Sequence, residues 1–258
     1  MMQISRRHMV KGIATGVPLA TILSDPMLAK AVAAGLETVT ITTEGGRKVS
    51  AALALPAKSK APSVLLIHEW WGLNDQIKAV AAEFATGGYV ALAVDLFDGK
   101  VATTADGAKA LMGGIDPGAA TDTLKSWIGW LKKSPRTDGK VATVGWCFGG
   151  GWSLNASLAT PVNATVIYYG NVKKTAAELA SLRGPVLMHY GLQDKFINTE
   201  MVKGFEAEAA KAKKRVTVYS YDANHAFANP SGAAFPYNKE AADLAWKRTL
   251  EFLKKFDT

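Results

Sequence analysis

Five short apolar runs recur along the chain without polar alternation: "SVLLIHE" (63–69), "YVALAVDLF" (89–97), "VATVGWC" (141–147), "ATVIYYG" (164–170) and "PVLMHYG" (185–191). Such runs read as strands covered on both faces, the habit of parallel sheets. Helix-like segments separate them, at 74–88, 119–133, 148–159, 173–182 and 198–214, and "RVTVYSYD" (215–222) precedes a closing helix over 238–256. Ahead of these, "ETVTITT" (37–43) and "KVSAALALP" (48–56) alternate apolar and polar residues around "EGGR", the pattern of a half-exposed hairpin. This order predicts an α/β fold, a mostly parallel doubly wound sheet with helices on both faces. Of 258 residues, 48% are hydrophobic and 20% charged, enough to bury one large core. No repeat, linker or change of composition divides residues 32–258, so one domain is expected there.

The first 31 residues differ. "MMQISRRHMVKGIATGVPLATILSDPMLAKAVAA" has a basic start, about a dozen mildly apolar residues and an A-x-A site at Ala29 and Ala31. A spanning helix needs roughly 20 apolar residues, so no permanent membrane anchor is expected. Within this segment "SRRHMVK" (5–11) resembles the twin-arginine export signal, which implies passage through that machinery and delivery of a folded bacterial protein to the periplasm. Cleavage is expected after Ala31, with Ala33 as the alternative. The segment holds four bases and one acid, so its removal lowers the net charge from +8 to +5. The remaining bases are scattered or lie on helical faces, and no nucleic-acid-binding signature accompanies them.

In an oxidising compartment a single cysteine has no internal partner, so Cys147 is either inert filler or a reactive group. Its setting, Gly145-Trp146-Cys147-Phe148-Gly149, is a G-x-C-x-G nucleophile elbow. A strand turning sharply into a helix at the middle residue crowds its neighbours, and glycines two before and two after remove the clashing side chains. The helix start favours thiolate and offers backbone N–H groups to an oxyanion, with Phe148 N–H first. Ser153 lies inside the helix and lacks the second glycine. Asp194 and His225 also follow strands, giving the chain order Cys, Asp, His of α/β-hydrolases. In doubly wound sheets, reactive groups gather at the carboxyl ends of the strands, where Glu69, Cys147, Asp194 and His225 all fall. His68 and His189 end apolar runs and read as structural; His8 belongs to the leader. "HEWWG" lacks the second histidine of a zinc motif, and no phosphate-binding glycine loop occurs, so neither metal nor cofactor is expected.

Together "LLIHEWWGLN", "ALAVDLF", "GWCFGG", "YYG", "GLQDKFI", "NHAFANP" and "YNKEAADLAWKRTLEFL" resemble the dienelactone hydrolase family of α/β-hydrolases over roughly residues 37–256. The resemblance implies hydrolysis of a small ester or lactone through an acyl-thioester. Cys147 would be nucleophile, His225 base and later acid, Asp194 its orienter, and Glu69 a carboxylate contacting the resting thiol. Trp70 N–H would be the second oxyanion donor. Where dienelactone-cleaving members carry substrate-binding arginines, this chain has Asp98-Gly99-Lys100 and Asn229. Trp71, Trp146, Lys100, Phe227 and Asn229 are the expected substrate contacts, although aromatic residues at strand ends are as often core. An exported ligand-binding member that turns nothing over is the other reading.

Overall fold

The structure is a computed structural model that describes residues 18–231 and 234–255. Its eight strands are β1 (Glu37–Thr42), β2 (Lys48–Ala54), β3 (Ala61–Ile67), β4 (Val90–Val94), β5 (Thr137–Trp146), β6 (Ala164–Tyr168), β7 (Val186–Gly191) and β8 (Val216–Tyr221). They form one sheet in the order β1-β2-β4-β3-β5-β6-β7-β8. Only β2 runs against its neighbours; from β4 to β8 every pairing is parallel. This is the expected mostly parallel α/β sheet, with the expected antiparallel hairpin at one edge.

The described helices are α1 (Leu19–Ser24), α2 (Pro26–Ala33), α3 (Asp75–Thr86), α4 (Ala105–Gly113), α5 (Pro117–Lys133), α6 (Phe148–Ala159), α7 (Ala176–Leu179), α8 (Thr199–Lys211) and α9 (Lys239–Lys254). Strand side chains alternate between faces. In β3, Val64 and Leu66 join a cluster with Ile77 and Val80 of α3 and Ala245 and Leu253 of α9. Leu65 and Ile67 join Leu124, Trp127 and Ile128 of α5 on the other face. Farther along that sheet, Ile167 and Met188 pack on Val202 and Phe205 of α8. Apolar residues on both faces are what made these strands read as continuous runs.

The chain leaves β3 for β4 on one side and then returns past β3 to β5 on the other. The sheet therefore reverses its winding between β3 and β5, which pair up to Ile67 opposite Gly145. A crevice opens outside the carboxyl ends of strands at such a reversal. The loops carrying Glu69 and Cys147 leave from there, side by side.

Two stretches fold where the sequence reading had no helix. Asp25 caps α2 by accepting from the Met27 and Leu28 N–H groups, with Pro26 at the first helical position. Ile22, Leu23, Ala29 and Val32 are buried in the cluster that also holds Val80 and Phe84. Ala31, the expected cleavage point, lies within α2, while "SRRHMVK" lies outside the described residues. The segment 99–116, where no helix was expected, holds α4, capped by Thr104 and burying only Ala108. No helix among the described residues is long and apolar enough to cross a membrane.

Candidate active site

Cys147 occupies the turn between β5 and α6 at φ +53° and ψ −115°, a conformation that L-residues rarely adopt. Strain of this kind persists only where surroundings enforce it, and here the glycines do. A Cβ on Gly145 would collide with the Gly149 carbonyl oxygen, and one on Gly149 with the carbonyl oxygens of Ile67 and His68. The elbow thus brings the start of α6 against the end of β3. Ser153, by contrast, is fully buried and hydrogen-bonded to Thr143 Oγ1 and the Val166 carbonyl, with no access to a substrate.

The three distant loops converge. His225 Nδ1 lies 2.6 Å from Asp194 Oδ2, and His225 Nε2 lies 3.1 Å from Cys147 Sγ. A carboxylate only accepts, so Nδ1 carries the hydrogen and Nε2 is left to accept from the thiol. Asp194 is fixed in turn by the N–H groups of Phe196 (2.8 Å) and Ile197 (2.9 Å). Burial opposes its ionisation, but the bonds from His225, Ile197 and Phe196 outweigh that and hold its pKa below the usual carboxylate range.

Cys147 is pushed strongly the other way. Burial is the largest cause and the charge of Glu69 the next, with the charge of Asp194 acting the same way; hydrogen bonds from the Phe148 and Trp70 N–H groups oppose them. The resting thiol is therefore neutral, and both backbone donors already converge on the sulfur. The carboxyl of Glu69 is buried, which raises its pKa against the opposing effects of Asn229, His225 and Tyr169. Its oxygens accept from Tyr169 Oη (3.2 Å) and Asn229 Nδ2 (2.5 Å). Its hydrogen bonds thus go to these two side chains, and the thiol's goes to His225. The charge of Glu69 acts on the sulfur by disfavouring the thiolate.

A cleft of about 600 Å³ opens over the sulfur, with Trp70, Phe148, Trp152, Phe196 and Phe235 among its walls and Lys173 and Lys174 at one side. Phe196 and Phe235 stand 5.4 and 5.1 Å from the His225 ring, centre to centre. The five expected substrate contacts lie elsewhere. Trp146 shares the face of Ala142 and Val144, stacks on Tyr168 and borders a separate groove between α1, α3 and α9. Phe227 is wholly buried against Tyr169 and Tyr221. Asn229 is spent on Glu69, Trp71 packs edge-on against Trp70, and Lys100 is exposed away from the cleft walls. The strand parity of Trp146 was readable in β5; Phe196 lies inside the quoted "GLQDKFI" but was not singled out, Lys173 heads a segment read as helix, and Phe235 comes from a loop that no motif marks.

A mostly parallel sheet with a strained cysteine at its winding reversal, an imidazole on the sulfur and a carboxylate on the imidazole is an α/β-hydrolase fold with a cysteine, a histidine and an aspartate joined at its strand ends. The sequence profile described as "Dienelactone hydrolase family" matches residues 49–257, and the chain belongs to that family. It is 29% identical over 229 residues to a carboxymethylenebutenolidase of a Pseudomonas species, covering 85% of this chain and 95% of the relative. Protein usf of Aquifex pyrophilus is 31% identical over 226 residues, 83% of this chain and 96% of that one. Among solved structures, a dienelactone hydrolase-like promiscuous phosphotriesterase from metagenomic libraries superposes with a TM-score of 0.78 at 23% identity, covering 86% of this chain and 99% of its own. That likeness shows the shared fold.

Proposed function

We propose that this chain is a hydrolase of small esters or lactones that works through Cys147 and an acyl-thioester. The carrying observation is the His225 ring, bonded at once to Asp194 and to the sulfur inside an apolar cleft. On attack the thiol proton passes to His225 Nε2 as sulfur bonds to the carbonyl carbon. The carbonyl oxygen takes up the charge and turns toward the Trp70 and Phe148 N–H groups, which release the sulfur they hold at rest. Collapse breaks the carbon–oxygen bond, and the leaving alkoxide takes the proton from Nε2. Water then gives a proton to His225 and its oxygen to the acyl carbon; thiolate departs and is reprotonated. Asp194 keeps its negative charge throughout and stabilises the imidazolium.

The aromatic walls favour an apolar or aromatic ester, and Lys173 and Lys174 would meet an anionic group at the rim. A neutral resting thiol also resists oxidation better than a standing thiolate would, which suits export to an oxidising compartment. Export by the twin-arginine route is part of this proposal, supported by "SRRHMVK". The mass of the exported protein's first residue tests it, since cleavage after Ala31 removes α1 and most of α2 from the core. The catalytic reading is tested by mixing the protein with p-nitrophenyl acetate. A burst of p-nitrophenol with an acetyl group trapped on Cys147 is expected. Ligand binding with neither burst nor adduct would instead identify a binding protein.

A further inference from the structure

His68 is a buried titratable group that the triad chemistry leaves over. Its ring is inaccessible to solvent, and both nitrogens have partners of fixed polarity. Nδ1 lies 2.6 Å from the Glu69 carbonyl oxygen, which can only accept, so Nδ1 carries the hydrogen. Nε2 lies 3.2 Å from the Leu96 backbone nitrogen, which can only donate, so Nε2 is bare. Two backbone partners therefore fix one neutral tautomer, and burial, which lowers the pKa of this ring, favours the same form.

The Glu69 carbonyl and the Trp70 N–H belong to one peptide unit. The described chain has no cis peptide bond, and in a planar trans unit the oxygen and hydrogen point in opposite directions. A ring that anchors the oxygen therefore aims the hydrogen. The same oxygen also accepts from Gly72 N–H at 3.2 Å, while the hydrogen bonds toward the Cys147 sulfur. Donors on a carbonyl also polarise the amide and strengthen its N–H as a donor. The ring packs 4.7 Å from Phe97 and lies stacked 6.0 Å from Phe148, whose own N–H is the other donor at the sulfur.

We propose that His68 is a positioning residue of the oxyanion hole: by holding the Glu69 carbonyl it aims the Trp70 N–H at the oxygen of the tetrahedral intermediate. It ties the β3 loop to the β4 loop and backs the Phe148 side of the hole, without touching substrate. The role rests on the acyl-transfer reading of Cys147. Its signature is a defect in steps that build an oxyanion, alongside normal behaviour in steps that do not.

The test sets p-nitrophenyl acetate hydrolysis against alkylation of Cys147 by iodoacetamide, a displacement at a saturated carbon that forms no oxyanion. Loss of a whole oxyanion donor costs on the order of 10²–10³ in kcat. Loosening one while leaving it in place is expected to cost about 10- to 100-fold. His68→Leu, with neither donor nor acceptor, is expected to show that fall in kcat with KM changed by less than about threefold and alkylation by less than about threefold. His68→Gln offers one donor and one acceptor and is expected to recover most of the loss. If the leucine variant does not fold, His68→Asn, whose shorter amide reaches one partner but not both, makes the same comparison. Unchanged kcat in these variants, or hydrolysis and alkylation falling together, would overturn the role. Full hydrolysis by Cys147→Ala would overturn the acyl-transfer reading itself, so the two failures are distinguishable.

Discussion

His189 lies within β7 and His225 in the loop just beyond the adjacent β8, each buried and each with both ring nitrogens hydrogen-bonded. His225 sits between a carboxylate and a thiol. His189 sits between two hydroxyls, Tyr221 Oη at 2.9 Å and Thr249 Oγ1 at 3.0 Å, and Thr249 bonds onward to Tyr168 Oη. Arg248 donates to the same Tyr221 oxygen and lies over the Tyr219 ring. Burial first and this guanidinium second drive the His189 pKa down to about 3. A proton arriving at His189 meets a cation and no anion; one arriving at His225 meets Asp194. The difference teaches that burial alone suits a histidine to a structural place, and that the carboxylate bonded behind the ring is what the proposed role of His225 requires.

The sharpest way to break this contrast is at the sulfur. Cys147→Ala is expected to reduce ester hydrolysis to the uncatalysed background, and Cys147→Ser to leave weak turnover, because a hydroxyl is harder to deprotonate than a thiol. Wild-type rates from Cys147→Ala, followed by p-nitrophenol release, would remove the chemistry from this site. Next comes the carboxylate. Asp194→Asn keeps the shape but presents an amide that favours the wrong imidazole tautomer, and kcat is expected to fall on the order of 10²- to 10⁴-fold. Tyr221→Phe removes the corresponding partner of His189 and is expected to leave kcat within about twofold while costing about 1–3 kcal/mol of stability in urea melts. Equal kinetic losses from the two variants would erase the distinction.

The same contrast bears on what could be read beforehand. The sheet was legible because its strands are buried on both faces, and α6 was read at residues 148–159, the bounds it has. Cys147, Asp194 and His225 were legible because strand ends and glycine turns mark them and the fold carries those ends to one edge. The rim was not. Phe196 reaches the cleft from the loop that holds Asp194, and Phe235 from beyond the His225 loop, so only the folded chain makes them neighbours. Trp146 was misassigned by its closeness to Cys147 in sequence, although alternation along β5 puts it on one face with Ala142 and Val144, in the cluster shared with α3 and α9, and outside the cleft walls. Helices α1 and α2 escaped notice because an apolar stretch after basic residues has the same composition whether it serves as a leader or packs on a core. Only the Asp25-Pro26 start signalled a helix.

Glu69 offers a smaller lever, on the thiol alone. A thiol with a raised pKa stays neutral at neutral pH and becomes reactive only as pH climbs. Wild-type alkylation by iodoacetamide is therefore expected to keep rising well into the alkaline range. In Glu69→Gln the burial remains but one repelling charge is gone, so the rise is expected at lower pH. An unshifted profile would mean that Glu69 is uncharged in the resting site, leaving burial as the main cause of the neutral thiol.

The smallest effect belongs to His189 and appears in stability rather than rate. Its folded pKa, about 3, lies below the unfolded value of roughly 6.5, so between those pH values the unfolded chain binds a proton that the folded chain refuses. Unfolding is then favoured as pH falls, by up to about 1.4 kcal/mol for each pH unit from this one ring. Above pH 6.5 neither state is protonated and the contribution vanishes. Replacing the ring by a non-titrating amide in His189→Gln is expected to lower stability at pH 7 but to flatten its decline from pH 6 to pH 4, as read from urea midpoints. Among the described residues no carboxylate hydrogen-bonds to His189, so the slope reports the absence of the group that Asp194 supplies to His225. An acid decline as steep in His189→Gln as in the wild type would show that this ring takes up its proton in the folded state, and the contrast between the two histidines would then lie in geometry rather than in charge.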